Sequence, residues 1–222
     1  MRDKGSFCRW LVPAAAVVLF SIGSSAHASV LYNNLNANPA SRYNCCLSYT
    51  IEGTNPGPFF AQGFSFTPSA TEGLQQVDIA LQIFGGTDLV VVTLNANNAG
   101  LPGAVLETWN VSGLPAPASC CVLQTLLPAV PLTLTFGTTY WLVATPGAAD
   151  TFAGWPVNNT GAKGPRAVQS SPGGEFTIFG ANDDQGAFDV IGTAAAVPEP
   201  ATITFAAAGL ALLAAVRLRR RI

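Results

Sequence analysis

From residue 29 to residue 196 this chain sustains no helical period. Short runs rich in Val, Phe, Thr, Leu and Tyr recur instead. Gly, Pro and Asn break them, which is the punctuation of strands and turns. Residues 77–84, "VDIALQIF", set the pattern: Val77, Ile79, Leu81 and Ile83 alternate with Asp78, Ala80 and Gln82. One face of such an extended segment is apolar and demands a core. Similar runs occupy residues 59–66, 89–94, 105–111, 122–127, 152–157, 175–179 and 188–191, and "LTLTFGTTYWLVA" at 132–144 holds two more around Gly137. Runs at this spacing predict an all-β domain, a β-sandwich with jelly-roll-like character. Two segments read as connections. "NANNAGLPGAV" at 95–105 is rich in turn formers, and "NNTGAKGPRAVQSSPGG" at 158–174 is a long polar loop, either mobile or ligand-binding.

The start of the chain has a different composition. Arg2, Lys4 and Arg9 form a basic head, residues 10–22 are mostly apolar, and Ala26–His27–Ala28 follows. These are the three parts of a secretory signal, with cleavage set by Ala26 and Ala28 and a mature chain beginning at Ser29. The competing reading is an N-terminal membrane anchor, which the short apolar part disfavours. The organisation is then a signal peptide at 1–28, one ectodomain at 29–196 and a separate tail at 197–222.

Charge and missing residue types exclude several functions. The ectodomain carries three cations, Arg42, Lys163 and Arg166, against ten carboxylates, a net of −7. Such a surface cannot neutralise many phosphates, so nucleic acid is not expected as a partner. His27 is the one histidine, and signal cleavage removes it. That excludes Ser–His–Asp and Cys–His catalysis and His-ligated metals. A glycoside hydrolase needs only two carboxylates facing across a sugar, but none here sits in a recognisable context. No enzymatic activity and no cofactor are expected.

Four cysteines remain after cleavage, in two vicinal pairs, Cys45–Cys46 and Cys120–Cys121. An even count in an exported chain suggests disulfides, with one or two bridges between the pairs. Each would close about 75 residues and stabilise by roughly 4 kcal/mol in the chain-entropy model. A four-thiolate zinc site fits poorly, because adjacent cysteines cannot both turn inward. Asn182, Asp183 and Asp184, in "GANDDQG", form a weak calcium candidate that lacks the ligand spacing of a helix–loop–helix site. Trp109, Trp141 and Trp155 are candidates for a sugar-stacking platform. Trp155, in "GWP", is the one expected to be exposed and is the possible glycan contact.

The tail joins Val197–Pro198–Glu199–Pro200 to an apolar run at 201–216 and then to Arg217, Arg219, Arg220 and Arg221. As a helix the run spans about 24 Å, a short single membrane crossing. The arginines hold the C-terminus inside and act as a membrane stop. The two prolines keep the preceding peptide extended at the outer surface. This order resembles the PEP-CTERM sorting signal. The resemblance implies an exosortase as partner, an inner-membrane intermediate, and final residence at the cell surface or in the extracellular matrix of an exopolysaccharide-making Gram-negative bacterium. Residues 97–109, "NNAGLPGAVLETW", and 134–144 resemble the choice-of-anchor group of β-rich surface domains, type R. That likeness implies surface display without a known reaction. The expected function is a sorted structural protein, associated with exopolysaccharide. The alternative is a displayed carbohydrate-binding module or, more remotely, a glycoside hydrolase.

Overall fold

The structure is a computed structural model that describes residues 28–193 apart from 118 and 120. Over these residues the chain is all-β. The strands are β1 (Ala28–Asn33), β2 (Tyr43–Glu52), β3 (Ala61–Phe66), β4 (Glu72–Ile79), β5 (Gln82–Gly85), β6 (Val90–Asn98) and β7 (Leu101–Val111). There follow β8 (Gln124–Leu126), β9 (Thr133–Leu134), β10 (Tyr140–Pro146), β11 (Phe152–Asn158), β12 (Lys163–Gln169), β13 (Thr177–Asp184) and β14 (Phe188–Thr193). A 3-10 turn at Pro39–Ser41 is capped by the side chain of Asn38, which accepts from Ala40 N.

Three antiparallel sheets result. One runs β1-β14-β4-β8, with β9 also on β4; the second runs β13-β12-β3-β10-β6-β7; the third is β2-β11-β5. The alternation read from sequence now has a cause. In β4, Val77 and Ile79 are buried, with Leu74 rejoining their face across a register shift; in β6, Val90, Val92 and Leu94; in β14, Phe188 and Val190. Every second side chain faces the same way, and these faces feed one core that also takes Phe64, Leu142 and Trp155. Fully burying side chains of this size stabilises by about 1.5–3 kcal/mol each. β3 is buried along its whole length, because the outer face of its sheet carries a second small cluster of Trp141, Val143 and Ala167, packed by Leu101 and Phe176.

Buried polar groups are paired. Asn34 Nδ2 donates to Gly186 O and its Oδ1 accepts from Phe188 N, both at 2.8 Å. Gln185 Nε2 donates to Ser65 O at 2.7 Å, and Asn158 Nδ2 donates to Gln185 O at 2.8 Å. This network fixes the crossing segment between β13 and β14, where an unpaired amide would cost about 1–3 kcal/mol.

Several expectations need correcting. The run at 77–84 is not one strand but β4 and β5. The chain changes sheets at Ala80 and Leu81, both wholly buried, and Ala80 N donates to Ala187 O across the join. The connection at 95–105 is mostly strand. β6 and β7 are joined by Ala99 and Gly100 alone, with φ of 51° and 86°, the left-handed pair a tight two-residue hairpin requires. The long polar loop at 158–174 contains β12, an interior strand between β13 and β3. Pro165 is tolerated there because the register shifts between Gly164 and Arg166, so its missing N–H falls at an irregularity.

Candidate functional site

Four strands bring side chains together around Arg166. β12 carries it, β3 and β13 flank β12 in the six-stranded sheet, and β2 approaches from the three-stranded sheet next to the Glu52↔Phe60 bridge. The guanidinium carbon lies 4.5 Å from the ring centroid of Tyr49 and 4.3 Å from that of Phe179. Both distances are within cation–π range. In the same group, Nε donates to Asp183 Oδ2 at 2.8 Å and Nη1 donates to Gln62 Oε1 at 3.2 Å. The Arg166 side chain is 11% exposed, so the charge is paired and hydrogen-bonded as a buried charge must be.

The supporting residues are themselves fixed. Gln62 is buried and its Nε2 donates to Thr50 O at 2.7 Å. The Tyr49 hydroxyl donates to Asp184 O. Burial raises the Tyr49 phenol above its ordinary range, outweighing the pull of Arg166, so it stays a neutral donor at neutral pH. The Asp183 carboxylate folds back over Gly180. A Cβ at that glycine would lie 2.1 Å from Asp183 Oδ1, so only glycine leaves room for this ion pair.

Phe179 differs from the rest. In the β12–β13 register Arg166 faces Gly180 and Ala167 faces Ile178, which leaves Phe179 as the extra residue of a bulge. Bulges re-aim side chains at sheet edges. Phe179 is 72% exposed, one ring face on Arg166 and the other towards solvent. Beside it opens a cleft of about 340 Å³, lined by Ser48, Thr50, Phe60, Gln62, Arg166 and Phe179 among others. The arrangement presents an exposed aromatic ring whose covered face lies on a fixed, paired guanidinium.

The residues singled out in sequence are placed differently. Trp155 is fully buried, packed edge-on to Phe64 at 4.9 Å, and its Nε1 donates to Ala187 O at 3.2 Å. It cannot contact a glycan, and that expectation is corrected. The reason is close packing: a Cβ at Gly186 would lie 2.6 Å from Trp155 Nε1. Trp109 and Trp141 are buried too, donating to Leu127 O and Asn97 Oδ1. The calcium candidate is also corrected. Asn182, Asp183 and Asp184 lie on β13, where successive side chains point to opposite faces. Asp183 pairs with Arg166, and Asp184 pairs with Lys163 at 3.1 Å.

Ala28 and Ser29 open β1, opposite Thr193 and Gly192 of β14; Ala26 lies outside the described residues. Cys45 and Cys46 lie on β2. Cys45 is disulfide-bonded, and Cys46 carries an exposed free thiol. Cys121 packs on a small cluster with Tyr43 and Leu35, and Cys120 is outside the described residues. So are Val197, Pro198, Glu199, Pro200 and the four arginines Arg217, Arg219, Arg220 and Arg221, with the expected membrane helix. Sequence reasoning read the 158–174 segment that carries Arg166 as either mobile or ligand-binding, but it did not name Arg166 or its partners; the signal within that segment was two of the three cations, Lys163 and Arg166.

Residues 196–221 match the PEP-CTERM protein-sorting motif. No curated protein and no solved structure matches the chain. The motif marks the chain as an exported exosortase substrate, sorted at a membrane.

Proposed function

We propose that this protein is a structural component of the envelope or extracellular matrix of a Gram-negative bacterium, associated with exopolysaccharide. In this reading the all-β domain is a sandwich-like ectodomain, type R choice-of-anchor in kind, and it acts without catalysis. The observation that carries the proposal is the sorting motif at 196–221.

The tail's chemistry supports processing. Pro198 and Pro200 lack two N–H donors that a sheet or a helix would use, which favours an extended peptide open to an enzyme. Glu199 is then the one charged handle between them, suited to a cation in a processing enzyme. The apolar run holds the intermediate in the membrane, and the arginines stop its exit. In cells that contain the exosortase, Glu199→Ala is expected to accumulate as a longer, membrane-bound species while export continues. Equal mass and equal partition of wild type and mutant between membrane and medium would refute the recognition role.

A second reading, a carbohydrate-binding module, is favoured by one observation: the exposed ring of Phe179 beside the Arg166 cleft. Trp155 no longer contributes to it.

A further inference from the structure

We propose that Glu72 is the seat for the chain's own new N-terminus: once the signal is cut before Ser29, the freed ammonium pairs with the Glu72 carboxylate and locks β1 onto β14. The proposal rests on the surface-protein reading above, through export and the cut expected after Ala28.

In β1, Ala28 pairs with Thr193 of β14, and Ser29 pairs with Gly192. The cut therefore falls inside the ladder that joins the two ends of the domain. Glu72 opens β4, which lies on the far side of β14 from β1. Its Oε2 nevertheless accepts from Ser29 Oγ, so the side chain crosses β14. Gly192 is what lets it cross, because a Cβ there would lie 2.5 Å from Glu72 Oε2. One side chain thus ties β4 to β1 over the strand between them.

N and Oγ of a serine are joined through two carbons only. A carboxylate that receives the hydroxyl is then within the ~4–6 Å over which an opposite charge favours the charged form. In the uncut chain Ser29 N is a neutral amide. The cut is a hydrolysis: water adds across the Ala28–Ser29 bond, Ala28 leaves as a carboxylate, and Ser29 N becomes an amine that is protonated at neutral pH. The same step removes the Ala28–Thr193 rung. A charge-assisted contact replaces it, at the end of β14 from which the tail continues. No other charge competes at this corner among the described residues. β1 and the turn at 67–71 carry no charged residue, β14 brings Gly192 and Thr193, and β9 brings Thr133 and Leu134.

The test uses mature protein purified from culture medium, with its N-terminus read by mass. The α-amine is tagged by reductive methylation with 13C-formaldehyde and titrated by NMR. Its midpoint is expected about one unit higher in the wild type than in Glu72→Gln, which keeps an oxygen for Ser29 Oγ and loses the charge. A further variant carries Gly-Ser inserted between Ala28 and Ser29. It leaves Ala26 and Ala28 for the peptidase and moves the amine about 7 Å away. At pH 7, Glu72→Gln and the insertion should each lower the melting point by about 2 °C. Together they should lower it no further than either alone. A raised amine pKa gives stability that is complete below about pH 8 and lost as pH rises through about 9, so the gap between wild type and Glu72→Gln should close at pH 10. The proposal is overturned by equal amine midpoints in wild type and Glu72→Gln, by melting losses that add, by a gap unchanged at pH 10, or by a mature chain that starts anywhere but Ser29. Sorting is read from the C-terminal mass, so either reading can fail without the other.

Discussion

Replacing Asp189 by Asn should make the protein more stable at neutral pH and leave it unchanged in acid. Asp189 on β14 faces Asp78 on β4, directly across the ladder. Like charges in that position repel. Burial first, and the Asp78 charge second, push the Asp189 carboxyl from 3.8 up to about 6, against the pull of the Asp78 backbone N–H and of Arg42. The folded protein therefore holds this proton more tightly than the unfolded chain. Between about pH 4 and pH 6 the native state binds more protons, so stability falls as pH rises through that window, and the deficit is complete above it.

A shift of about two units corresponds to about 3 kcal/mol at most. Asp189 is only partly buried, and solvent screening reduces the effect to about 1–2 kcal/mol. Asn keeps the oxygen that accepts from Asp78 N at 3.3 Å, and it carries no charge. Thermal unfolding of wild type and Asp189→Asn at pH 4 and pH 7 reads the difference. At about 2–4 °C per kcal/mol for a domain of this size, the mutant should melt about 3–6 °C higher at pH 7. At pH 4 the two should coincide. An equal gain at both values, or none at pH 7, would refute the reasoning, because only the charged form is penalised.

Trp155→Ala should lose about 3–5 kcal/mol, the cost of emptying a large core site, seen as a drop in the urea midpoint; a change below about 1 kcal/mol would contradict its burial. Gly180→Ala should displace the Asp183 carboxylate and release Arg166, which two-dimensional NMR would report as a shifted Arg166 Nε–H resonance; an unmoved resonance would show that the ion pair does not need the glycine. Non-reducing peptide mapping should link the 45–46 peptide to the 120–121 peptide, and reduction should cost roughly 4 kcal/mol; a bridge confined to one pair would remove that constraint.

The strands with strict alternation were legible because period-2 patterning is local: Val77 and Ile79 face the core whatever strand lies beside them. The sorting motif was legible for a related reason, since an extended peptide is read as a linear string. Composition set the rest of the frame, above all the acidic, histidine-free stretch from 29 to 196. The partners were not legible. "GWP" looks like a turn, yet β11 lies between β2 and β5, and Gly186 and Phe188 close over Trp155. "KGPRAVQ" looks like a loop, yet a register shift at Pro165 admits it to the middle of a sheet. The Arg166 cluster draws on residues from Tyr49 to Phe179, and its exposed ring is aimed by one extra residue in one strand. Strand order and bulge position depend on contacts between segments far apart in the chain, so only the assembled sheets decide them, whereas alternation and a linear signal depend on nearest neighbours alone.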